Sequence, residues 1–157
     1  MQPLSASDLE PPHIDGPRRL LVGYDRHPAS HRALVVAAAL ATALDATLVI
    51  LHVVDLEDYP VDPDSEEWET AAKRTIDQER QEAAQLLASS RVQWAFETAR
   101  DEPVHALARA AHDHDALFIV VGASGRGLAQ RLLHGSVPQA LLRKQRKPVL
   151  VVPSPAD

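Results

Sequence analysis

The chain contains no cysteine. That excludes disulfides, thiolate catalysis and cysteine metal sites, and it fits a reducing cytoplasm, where the protein is expected to reside. No apolar run approaches the roughly 20 residues needed to span a bilayer, so no membrane association is expected. The amino terminus lacks a basic segment followed by an apolar core, so no secretory leader is expected. Positive charge is not in excess: the formal net charge is −6, which argues against a nucleic-acid partner. H-E-x-x-H, the P-loop pattern and G-x-G-x-x-G are all missing, and with them the best-known signatures of zinc proteases, P-loop nucleotidases and dinucleotide enzymes.

What remains is the composition of a soluble globular chain of 157 residues, 45 % hydrophobic and 24 % charged. Residues 1–17 are polar, carry four prolines and read as a poorly ordered tail. A single domain is expected over 18–154. Its strands are predicted at 19–24, 47–54, 92–98, 117–121 and 148–152. Helices are predicted from about His31 to Leu44 with Ser30 as the cap, Glu66 to Ser89, Pro103 to His112, and Ser136 to Lys144. Strands alternating with helices imply a parallel sheet covered on both faces. The continuous apolar runs at 19–24 and 117–121 suit the centre, while the alternation of Val92, Trp94 and Phe96 suits an edge. Right-handed crossovers then give the order 3-2-1-4-5. The winding reverses between the first and fourth strands, where open α/β sheets bind ligands.

The fourth strand runs into Gly122, Ser124, Gly125, Arg126 and Gly127. Glycines at a strand end admit close approach of a ligand to backbone N–H groups. Gly135, Ser136 and Val137 open the next helix and present the positive end of its dipole. Asp25, at the end of the first strand, offers an acceptor for a ribose hydroxyl or a bound magnesium. The backbone near Val53 and Val54 can meet the edge of a base. Donors for phosphates, an acceptor for sugar and apolar backbone for a ring make a nucleotide-shaped set. The alternative for the glycines is a tight connection without a ligand.

The spacing Gly122-x2-Gly125-x9-Gly135-Ser136 resembles the nucleotide-binding signature of the universal stress protein family. Leu21-Val-Gly-Tyr-Asp25 with Ser30 resembles that family's first strand, and Lys147-Pro-Val-Leu-Val-Val-Pro153 its last. The likeness covers about 18–153. It implies an adenine nucleotide alpha-hydrolase-like fold, binding of ATP (or ADP or AMP), and homodimers paired through the last strand. Carried over position by position, the pocket uses Gly23, Tyr24, Asp25, Val53, Val121, Gly122, Ser124, Gly125, Gly135, Ser136 and Val137. Pro138 departs from the family by removing one N–H donor.

The apolar strand Val149, Leu150, Val151 and Val152 at a sheet edge independently invites pairing with a second copy. The expected function is a stress-response regulator or sensor whose nucleotide state alters contacts with a regulatory protein partner. No catalytic apparatus is recognisable, so little or no hydrolysis is expected. The alternatives are a slow ATPase or phosphoryl- or adenylyl-transfer enzyme, and a nucleotide-free interaction module. Gly122→Glu and Gly135→Glu are each expected to abolish nucleotide binding with the fold largely intact. His52 reads as a core or crevice-edge residue, and His112-Asp-His-Asp115 as a solvated helix end rather than a metal site. His134 could approach phosphates or be an exposed loop residue. The cluster 143–147 reads as cations favouring a helix dipole. The acidic stretch 55–67 reads as a lid or a solvated connection.

Overall fold

The computed structural model describes residues 14–25, 27–54, 64–123 and 147–154, together with Pro3, Ser5 and Leu9. Along the chain come β1 (Arg19–Tyr24), α1 (Pro28–Ala43), β2 (Thr47–Val53), α2 (Glu66–Leu86), β3 (Trp94–Ala99), α3 (Pro103–Asp113), β4 (Ile119–Ala123) and β5 (Val149–Pro153). The five strands form one parallel sheet in the order β3-β2-β1-β4-β5, as the apolar runs require. The helix expected over 136–144, most of the tail and most of the acidic stretch lie outside the described residues.

Side-chain parity builds a core on each face of the sheet. Leu20, Val22, Tyr24, Leu48, Ile50, Val120 and Val152 face α1 and α2. Leu21, Val49, Leu51, Ile119, Val121, Val149 and Val151 face α3. β1 and β2 are buried on both faces, which is why they read as unbroken apolar runs. β3 is at the edge and only half-buried. The buried face of α1 is Ala29, Ser30, Ala33, Leu34, Ala37, Ala38 and Ala41. Such small side chains bring its backbone close to the sheet. Asp45 and Asp115 take positive φ just beyond α1 and α3, the left-handed turn that commonly ends a helix.

Several boundaries differ from those read in the sequence. α1 begins at Pro28, not near His31, and its cap residue is His27. Proline fits a first helical turn, where its fixed φ suits the helix and its missing N–H costs nothing. Ser30 is therefore inside the helix and free for another task. β4 starts at Ile119 because Leu117 and Phe118 bond only toward β1, through Leu117 N–H to the Arg19 carbonyl and Leu21 N–H to the Phe118 carbonyl. Ile119 is the first residue to bond toward β5's side, donating to the Pro148 carbonyl at 2.9 Å. β3 begins at Trp94 and β5 at Val149, each later than expected. α2 ends at Leu86 and α3 at Asp113.

Candidate functional site

The sheet splits where its winding reverses. Pairing of β1 with β2 continues to Tyr24↔His52, and pairing of β4 with β5 to Ala123↔Pro153. Pairing of β1 with β4 stops earlier, at Val22↔Val120. Gly23, Tyr24 and Asp25 on one side and Val121, Gly122 and Ala123 on the other therefore run past the last shared rung at the carboxyl end of the sheet. Val53 belongs to the same rim. It is the last residue of β2 and lies one position beyond the final β1 rung, so its carbonyl has no β1 rung opposite it. The neighbouring Val54 N–H is already committed to the Ala99 carbonyl at 2.8 Å.

The rim is held by the Asp25 side chain and by side chains from α1, α2 and β2. Ser30 Oγ accepts from the Asp25 N–H at 2.7 Å and donates to the Gly23 carbonyl at 3.3 Å. Asp25 Oδ1 accepts from the His27 N–H at 2.8 Å and lies 3.1 Å from His27 Nδ1. The corner is thus a side-chain-capped turn with one carboxylate oxygen occupied. His52 Nδ1 sits 3.3 Å from the Tyr24 carbonyl and 2.5 Å from Glu79 Oε2. The Glu79 approach is a close contact, and neither of its oxygens gains a well-directed hydrogen bond. Glu79 is 2 % exposed.

Around this pair the His52 ring stacks on Phe96 with centroids 6.4 Å apart, and Arg80 covers the other ring. His31 packs 5.6 Å from the Tyr24 ring and lies 3.6 Å from Glu82 Oε2. Burial, with the carboxylates of Glu82, Glu79 and Asp25, pushes the Tyr24 phenol well above its ordinary range. The phenol therefore stays protonated, a buried donor rather than an anion.

Gly122 has a second constraint. A Cβ there would fall 2.5 Å from the Ala29 carbonyl oxygen and 2.7 Å from the Ser30 nitrogen. The first turn of α1 occupies that space. The expectation that Gly122→Glu leaves the fold intact is corrected accordingly, since a side chain at this position collides with helix backbone.

The remaining motifs fall as follows. Ser124, Gly125, Arg126, Gly127, His134, Gly135, Ser136, Val137 and Pro138 lie outside the described residues. His52 is buried, in line with the core alternative. His112 occupies the last turn of α3, and His114 Nε2 turns to Glu97 Oε2 at 2.9 Å. Asp115 receives Lys147 Nζ at 2.8 Å, and that ammonium holds the Asp115 carboxyl below the usual range. Among the described residues no group of three or more His, Asp or Glu side chains is disposed to hold a metal. Nor is any helix among them long and apolar enough to cross a membrane.

Two residues of the rim's support escaped the sequence reading. Ser30 was assigned to a helix cap. Glu79 belongs to no motif, although it stands on the apolar stripe of α2, four before Ala83 and three after Ile76. A carboxylate at a core position, facing a histidine in an apolar strand, was the available signal.

An open parallel sheet whose winding reverses between β1 and β4 defines a protein of the doubly wound α/β class. The chain belongs to the universal stress protein family, which matches residues 16–153. A universal stress protein of Methanocaldococcus jannaschii is 26 % identical over 142 residues, 88 % of this chain and 83 % of that one. A solved universal stress protein in complex with cAMP is 26 % identical, with a TM-score of 0.67 over 88 % of this chain and 98 % of that chain. The universal stress protein UspA from Lactobacillus plantarum is 27 % identical, with a TM-score of 0.66 over 86 % of this chain and 97 % of that chain. The shared fold is the adenine nucleotide alpha-hydrolase-like one.

Proposed function

We propose that the split between β1 and β4 binds an adenine nucleotide, ATP before ADP or AMP, with little or no hydrolysis. In this reading the protein is a cytoplasmic regulator or sensor in a stress response, carried by a single domain over 18–154. Its nucleotide state alters contacts with a protein partner. The observation that carries the reading is the early end of the β1–β4 ladder, which leaves two strand ends without shared rungs at the carboxyl edge. The relative solved with cAMP supports an adenine ligand in a protein of this family.

Gly23, Tyr24, Asp25 and Val53 would face the base and ribose. Val121, Gly122, Ser124, Gly125, Arg126 and Gly127, with Gly135, Ser136 and Val137, would cradle the phosphates by main-chain N–H groups. Asp25 fits a ribose hydroxyl well, having one oxygen fixed by His27 and one without a hydrogen bond among the described residues. Magnesium would take its ligands chiefly from the phosphates, with Asp25 as the one carboxylate at hand.

The test is calorimetric titration of nucleotide-stripped protein with ATP, ADP and AMP, alongside thermal unfolding. Saturation at a hundred times the dissociation constant adds about 2.7 kcal/mol of stability. Gly135→Glu is expected to abolish binding while circular dichroism and melting temperature stay near wild type. Absence of binding and of thermal shift with all three nucleotides would sink the reading.

We also propose a homodimer through β5, with Val149, Leu150, Val151 and Val152 at its interface. β5 is an edge strand among the described residues, and Leu150 is 39 % exposed there. Apolar edges pair readily with a second copy. Light scattering is expected to give twice the chain mass for wild type and the single mass for Leu150→Lys. A monomeric wild type at micromolar concentration removes this interface.

A further inference from the structure

The carboxyl end of β1 is fastened residue by residue from outside the site. The Gly23 carbonyl and the Asp25 N–H both go to Ser30 Oγ. The Tyr24 carbonyl, between them, faces His52 Nδ1. A carbonyl oxygen can only accept, so Nδ1 must carry the ring proton to serve it. The carboxylate of Glu79, 2.5 Å away, favours a proton at that nitrogen and disfavours the other tautomer. Glu79 comes from α2, His52 from β2 and Tyr24 from β1, so the chain of contacts crosses three elements before it reaches the rim.

The energetics make a purely structural role for Glu79 a poor bargain. A buried carboxylate costs several kcal/mol to desolvate, and an apolar residue of similar volume packs a helix at least as well. Glu79 is nearly enclosed, and its oxygens lack well-directed donors. Its position beside the imidazole gives it one evident task, which is to fix the ring.

We propose that Glu79 and His52 are positioning residues for the crevice: Glu79 fixes the His52 tautomer, and His52 holds the Tyr24 carbonyl so that the Asp25 corner is set for its ligand. The inference rests on the nucleotide reading above only in its binding arm. Neither residue touches the ligand, so their effect appears as a change in corner geometry, and sub-ångström placement governs affinity.

The experiment compares wild type with Glu79→Gln, Glu79→Leu and the double variant His52→Phe/Glu79→Leu. Nitrogen-resolved imidazole NMR reports the tautomer, amide hydrogen exchange reports the Asp25 corner, and calorimetry with ATP reports affinity. In wild type the His52 proton is expected on Nδ1. Glu79→Leu and the double variant are expected to keep a near-native melting temperature. They should lose about tenfold in ATP affinity and exchange the Asp25 amide about tenfold faster. Glu79→Gln, whose amide oxygen keeps a negative dipole beside Nδ1, should recover most of both. A wild-type ring protonated only on Nε2 would overturn the proposal whether or not any variant folds. So would native ATP affinity together with native Asp25 exchange in Glu79→Leu. If wild type binds no adenine nucleotide, the nucleotide reading fails, and Asp25 exchange alone decides the positioning role.

Discussion

Gly122→Ala is expected to lower stability by about 3 kcal/mol, and Gly122→Glu to prevent accumulation of folded protein. The glycine's φ is outside the left-handed region, so the penalty is steric: an added methyl meets the Ala29 and Ser30 backbone at 2.5 and 2.7 Å. Those atoms are helix main chain and cannot rotate aside. To admit the methyl, α1 must back away from β4, opening the alanine-lined contact along the buried face of α1. For a chain of this length about 3 kcal/mol corresponds to a fall of about 10 °C in melting temperature. Urea denaturation of Gly122→Ala checks it, and a wild-type midpoint would show that the first turn of α1 yields easily. One consequence concerns interpretation of binding data. Loss of nucleotide in a Gly122 variant reports collapse of packing, whereas loss in Gly135→Glu would report the site.

The second large effect is an asymmetry. His52→Leu is expected to cost about 4 kcal/mol, because it leaves the Glu79 carboxylate buried without its neighbour. Glu79→Leu is expected to be close to neutral, or stabilising, because it removes the desolvated charge. The double variant should then resemble Glu79→Leu rather than sum the two, since contacting residues do not contribute independently. Thermal or urea unfolding of the three proteins completes the cycle. Equal costs for the two single substitutions would mean that Glu79 carries no burial penalty and reaches solvent.

Strand order was legible because both-face burial leaves an unbroken apolar run, as in 19–24, and edge exposure leaves an alternating one, as at Trp94 and Phe96. Helix and strand ends were less so. Pro28 ends a strand and begins a helix with equal ease, and only tertiary contact decides between them. The same holds for Ser30, whose hydroxyl could cap a helix or tie down a strand; Gly23 and Asp25, brought close by the fold, claim it. Gly122 was noted for the room it leaves a ligand, but periodicity carries no information about what already fills that room. Glu79 broke the apolar stripe of α2, and a broken stripe reads as solvent exposure until the facing histidine is in view.

β1 and β4 share only the rungs Leu21↔Ile119 and Val22↔Val120, whereas β1 and β2 share six, from Arg19↔Thr47 to Tyr24↔His52. The β1–β4 seam is thus the shorter one, extended below by the Leu117 N–H to the Arg19 carbonyl and backed by α1. A ligand lodged across its upper end would supply a tie between β1 and β4 that the ladder does not.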